Sequence, residues 1–139
     1  MVGGGFAAGQ KITMYTVVRF QTKRTGTAAL AVVGTKLNKI KKDTFRGLDK
    51  VPGRFSCSVC DDPAWDKHLR RIRSFLTRFS SVMRSARRQH VKIVFDVAVE
   101  PEDMRSRAYF TIHITPTLMA QLERAGIQLE FTFYAGGRQ

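Results

Sequence analysis

Residues 61–99 read DDPAWDKHLRRIRSFLTRFSSVMRSARRQHVKIVFDVAV. Two periodicities meet inside this stretch, and the switch between them decides the fold class. Trp65, Leu69, Ile72, Leu76, Phe79, Met83 and Ala86 recur at intervals of four and three, with Phe75 and Val82 widening the row. That spacing keeps one apolar stripe on a helix facing a core. Asp62 can cap free N–H groups and Pro63 suits a first helical position, so the helix is predicted to start there. It should run for about 25 residues, or roughly 38 Å at 1.5 Å per residue. Lys67, Arg70, Arg71, Arg73, Arg78, Arg84 and Arg88 fall mostly on the opposite side, and Arg87 borders the apolar face. After Gln89 the period becomes two. Val91, Ile93, Phe95, Val97 and Val99 alternate with Lys92, Val94, Asp96 and Ala98, as a strand requires.

Downstream, Pro101-Glu102-Asp103 begins a turn and a second alternating run follows. It places Phe110, Ile112 and Ile114 on one face, and Tyr109, Thr111 and His113 on the other. The two runs are predicted to pair as an antiparallel hairpin. Thr115-Pro116 starts another helix by cap-and-proline logic, with Leu118, Met119, Leu122 and Ala125 on its buried side and Gly126 at its end. The last strand has Ile127, Leu129, Phe131 and Phe133 inward, and Gln128, Glu130, Thr132 and Tyr134 outward. Upstream, residues 14–21 and 55–60 read as strands, and residues 26–33 as a short helix capped by Thr25 or Thr27 and ended by Gly34. Residues 35–53 read as a lysine-rich loop. The predicted order is β-α-β-α-β-β-α-β. This is a single α+β domain with ferredoxin-like elements, in which helices cover one face of a mostly antiparallel sheet. Residues 1–12 are expected to be a flexible leader, residues 13–135 the domain and residues 136–139 a tail.

Of the 139 residues, 24 are basic and 11 acidic, a net charge of +13. The excess is uneven: residues 1–60 carry a net +9, residues 61–90 a net +5 and residues 91–139 a net −1. Such a field attracts polyanions and acidic surfaces. No apolar run approaches the roughly 18 residues of a membrane span. MVGGGFAAGQ lacks the basic and apolar regions of a signal peptide, so a cytoplasmic location is expected.

Cys57 and Cys60 have a metal-like spacing with His68 eight residues on. A structural zinc needs four ligands, and positions three apart on a strand point to opposite faces. Asp61, Asp62 and Asp66 would raise a nearby thiol pKa and oppose redox activity. His113, Tyr109 and Glu130 could perform acid–base chemistry only if they lined one cleft. No phosphate loop is present. The sequence therefore predicts no catalytic, cofactor or metal site, and no enzyme.

What remains is binding through charge. The predicted contact residues are Arg70, Arg71, Arg78, Arg84 and Arg88 on the long helix, with Lys36, Lys39, Lys41, Lys42 and Arg46 in the loop. The partner is expected to be an acidic protein. The alternative is RNA or DNA, since an arginine-rich helix beside a lysine-rich loop is also a nucleic-acid footprint. Asp96 and Glu130, on the outward sheet face, would repel phosphates there. Tyr109 and Tyr134 on the same face could support a homodimer.

The stretch YFTIHITPTLMAQLERAGIQLEFTFY, residues 109–134, resembles the ending of a bacterial family known only as domain of unknown function 4279. In that family a strand leads into a short helix, a glycine and a strand ending in an aromatic. The long helix and the hydrophobic strand before it follow the same order, as do a short helix at Leu30 to Gly34 and a polar loop with Gly47. The chain is more basic than the family. Some members resemble immunity proteins encoded beside bacterial toxins. The resemblance implies an inhibitor that neutralises an acidic partner protein, such as a toxin, with charge steering the encounter.

Overall fold

Met14, Thr16, Val18 and Phe20 alternate with Tyr15, Val17 and Arg19, and this period-two pattern builds the inner strand β1 (Ile12–Gln21). The computed structural model describes residues 12–22, 47–49, 53–101 and 111–134. Its other strands are β2 (Gly47–Asp49), β3 (Arg54–Asp61), β4 (Lys92–Pro101) and β5 (Gln128–Phe133). Its helices are α1 (Trp65–Arg78), α2 (Ser80–Arg88) and α3 (Pro116–Ala125). The sheet order is β2-β3-β1-β4-β5. Every pairing is antiparallel except β4 with β5, which is parallel. The expected α+β class, with helices on one face of a mostly antiparallel sheet, is what the chain forms.

The core lies between that face and the helices. Met14, Val18, Phe20, Cys57, Val59, Ile93, Phe95, Val97 and Val99 meet Ile72, Phe75, Phe79, Val82, Met83, Ala86, Leu118 and Leu122. Phe75 packs edge-on against Phe95, with centroids 5.7 Å apart, and against Phe79 at 4.5 Å, arrangements that aromatic quadrupoles favour.

The structure corrects several details. The long helix begins at Trp65, because Asp62 Oδ1 accepts from the Ala64 N–H and holds Pro63 and Ala64 in a turn outside the helix. It is interrupted at Phe79 (φ −109°, ψ 24°), which joins α1 to α2. The hairpin is absent among the described residues: 111–115 are irregular, and β4 has β1 on one side and β5 on the other. Residues 47–49, read as loop, form β2 against β3. Met119 (52% exposed) and Phe133 (58% exposed) are outside the core. Phe133 ends β5 and stacks on Phe131 at 6.4 Å.

Thr115 caps α3 as predicted, its side chain accepting from the Leu118 N–H at 3.2 Å. Gly126 ends α3 in the left-handed region (φ 68°), also as predicted. Ile12, read as the end of the leader, is the first residue of β1 and pairs with Pro101. The rest of the leader, the 26–33 helix, the tail and Tyr109 lie outside the described residues. None of the described helices is long and apolar enough to cross a membrane.

Candidate basic binding groove

On α2, Arg84, Arg87 and Arg88 stand at i, i+3 and i+4, the spacing that places side chains on one helical face. Opposite them, α3 presents Gln121 and Arg124. The space between is a groove of about 550 Å³, lined by these residues with Ser80, Leu76, Met83 and Ala125. Leu76 and Met83 belong to the apolar core and form the floor. Four arginines thus surround one groove, and among the described residues no acidic side chain lines it.

Two contacts fix the walls. Arg87 Nη1 donates to the Ala125 carbonyl at 2.9 Å, satisfying an acceptor at the end of α3. Arg73 Nε donates to Gln121 Oε1 at 3.1 Å and ties α1 to α3. Arg87 and Arg88 sit in the last turn of α2, and Arg124 in the last turn of α3. Part of their charge therefore complements the negative ends of the two helix dipoles. Yet no ion pair joins Arg84, Arg88 or Arg124 to any described residue, and all three are exposed. Like charges about 6 Å apart in water repel by less than about 1 kcal/mol per pair. The fold tolerates this cost, and an arriving anion would relieve it.

The other predicted contact residues are dispersed. Arg70 and Arg71 line a pocket of about 310 Å³ with Lys67, Cys60, Asp61 and Asp62, where carboxylates already offset the positive charge. Arg70 and Arg73 also border a shallower one with Asp66. The Arg78 guanidinium lies 5.5 Å from the Phe79 ring centroid, a cation–π contact. Lys36, Lys39, Lys41, Lys42 and Arg46 lie outside the described residues. Of the five helix arginines predicted, only Arg84 and Arg88 share the groove. The sequence pattern places Arg87 only at the border of the apolar face. Arg124 was hidden by the near-neutral sum of residues 91–139, although its place three residues after Gln121 on one helix was the available signal.

The remaining candidates form other environments. Cys57 and Cys60 are both buried thiols. They share one face, contrary to expectation, because Val59 is an extra residue in β3: Thr16 faces Cys60 while Val17 faces Ser58. Such a bulge resets the alternation. Burial raises the Cys60 thiol pKa, as do Asp61 and Asp62, while Arg71 opposes them. Among the described residues no cluster of three metal-binding side chains exists.

His68 is fully buried on the core side of α1. Its Nε2 lies 2.6 Å from the Asp62 carbonyl, which can only accept, so Nε2 carries the proton. Its Nδ1 then accepts from the Thr16 hydroxyl at 2.7 Å. Burial pushes the imidazole pKa down, so the neutral tautomer fits both partners.

His113 does not join Glu130. Its carbonyl accepts from Trp65 Nε1 on the helix side at 2.8 Å, whereas Glu130 lies with Arg19 on the sheet face turned away from the helices. There Arg19 donates to Asp96 at 2.6 Å and to Glu130 at 3.0 Å, while Thr132 donates to Asp96 and Gln128 to Glu130. The acidic pair expected to repel phosphates is thus bound to an arginine from β1.

Comparison of the chain with family models, with curated proteins and with solved structures returned no match.

Proposed function

We propose that this chain is a non-catalytic binding protein whose α2–α3 groove receives an acidic partner protein. The observation that carries the reading is the set of four arginines around one groove, with no acidic residue among the described residues that line it. Arginine suits the task because its planar fork meets a carboxylate through two parallel hydrogen bonds. The net charge of +13 would speed the encounter. In its fuller form the partner is an enzyme or toxin, and its capture is inhibitory.

The test is affinity purification from native cells with nuclease present, comparing the wild type with Arg84→Glu/Arg124→Glu. An acidic protein retained stoichiometrically by the wild type and released by the variant supports the reading. Equal retention by both removes the groove from it.

One observation favours a second reading, RNA or DNA binding: every cation of the groove is arginine, which forks onto phosphate as readily as onto carboxylate. That reading requires binding whose logarithm falls steeply and linearly with the logarithm of salt concentration, and capture that nuclease abolishes.

A further inference from the structure

The groove has two chemistries arranged in layers, and together they specify more than negative charge. Its floor is apolar: half-buried Ala125 and the edges of Leu76 and Met83, widened by the aliphatic stems of the surrounding arginines. Its rim is cationic: Arg84 and Arg88 one turn apart on α2, and Arg124 across from them on α3. Arg87 is held by the Ala125 carbonyl and closes the groove where the two helices end. A phosphate backbone would satisfy the rim and leave the floor wetted. A volume of about 550 Å³ leaves room for an apolar side chain between the cationic rims.

We infer that the occupant is an acidic peptide segment of the partner that carries one large apolar side chain. The apolar group seats over Leu76 and Met83, while flanking carboxylates one helical turn apart pair with Arg84 and Arg88, and a third meets Arg124. This rests on the proposed function and adds the chemistry of the segment recognised. The Arg84–Arg88 spacing suits carboxylates at i and i+4 of an amphipathic helix laid in the groove. The apolar anchor supplies affinity, because it leaves water for a preformed floor. The carboxylates supply orientation and rate.

The test uses the whole chain and three fluorescent probes, with affinities measured by anisotropy at low and moderate salt. The first is a short helical peptide with glutamates four residues apart flanking a single phenylalanine. The second is identical except for serine in place of phenylalanine. The third is a single-stranded oligonucleotide of the same net charge. Burial of one aromatic side chain predicts that the first peptide binds about tenfold or more tightly than the second. Arg84→Glu/Arg124→Glu should abolish that binding, and because both positions are exposed the variant is expected to remain folded, as circular dichroism would check.

Equal binding of the two peptides would overturn the anchor and leave the acidic-partner reading standing on charge alone. Tighter binding of the oligonucleotide than of the anchored peptide would overturn both. No binding of either peptide at low salt, or anchored binding that survives the arginine variant, would overturn the assignment of this groove.

Discussion

The Arg87 guanidinium occupies the space that a side chain on Gly126 would fill, so the end of α3 is shaped by a residue of α2. Gly126 is needed twice over: its φ of 68° is disfavoured for other residues, and the absence of a Cβ lets Arg87 reach the Ala125 carbonyl. Gly126→Ala should cost roughly 2–3 kcal/mol, combining left-handed strain with loss of the Arg87 hydrogen bond. In an Arg87→Ala background the same change should cost only about 1–2 kcal/mol, from strain alone. Urea unfolding of the four proteins checks this. Strict additivity would refute the shared-space explanation.

Arg19 should couple more strongly to Asp96 than to Glu130. The Arg19–Asp96 contact is shorter and its side chains are about four-fifths buried, whereas Glu130 is 37% exposed. Double-mutant cycles with Arg19→Met, Asp96→Asn and Glu130→Gln should give about 1–2 kcal/mol for the first pair and under about 1 kcal/mol for the second. Arg19→Met should be the most damaging single change, since it leaves two adjacent carboxylates on one sheet face without their cation.

Stability should fall as pH drops below about 6.5, the ordinary imidazole value. The pKa of His68 is depressed in the folded state by burial, so the unfolded chain takes up the proton first. The contribution is complete above the unfolded value and is lost as pH falls through the folded one. Melting temperatures between pH 8 and pH 4.5 should slope downward toward acid, and His68→Gln should flatten the upper part of that slope. Asp62, whose carboxyl is held low chiefly by the Ala64 N–H, acts only at more acidic pH.

His90 is the non-glycine residue found at positive φ, 64°, among those described. It ends α2, where the Val91 N–H returns to the Ala86 carbonyl across a left-handed corner. His90→Gly should stabilise the fold by roughly 0.5–1 kcal/mol, read as a shift in the urea midpoint with an unchanged slope.

Removing groove arginines should separate stability from binding. Arg84→Ala and Arg124→Ala lie on exposed positions with no ion pair to a described residue, so unfolding free energies should stay within about 0.5 kcal/mol of wild type. Binding to the acidic partner should nevertheless weaken and lose part of its salt dependence. A large loss of stability would mean that these side chains hold the fold rather than a ligand.

The helix–strand switch of residues 61–99 was legible because each period repeats several times around large apolar residues. Less was legible where one local event changes a parity or a partner. The extra residue Val59 moves Cys60 onto the core face, and nothing in SCSVC announces a bulge. His68 falls three residues after Trp65 and four before Ile72, which places it on the apolar stripe. Only the tertiary position of Thr16 shows how the imidazole is satisfied. The alternation at 109–114 looked like a hairpin arm, but β4 is saturated by β1 and β5. The groove escaped a reading by segment charge because its fourth arginine comes from a nearly neutral stretch of chain.

The central pairing of β1 with β4 joins Met14 to Val99 and Phe20 to Ile93. These partners are separated by most of the described chain, so forming the middle of the sheet means closing a very long loop before its contacts can reward the lost entropy. The early-made β3 and α1 can associate with β1 while β4 is still being synthesised. Until then one side of β1 presents unpaired backbone and an apolar flank. Newly made chains should therefore pass through a slow, aggregation-sensitive interval that ends only when residues 92–101 dock. A truncation before residue 92 should yield an insoluble product rather than a smaller folded one.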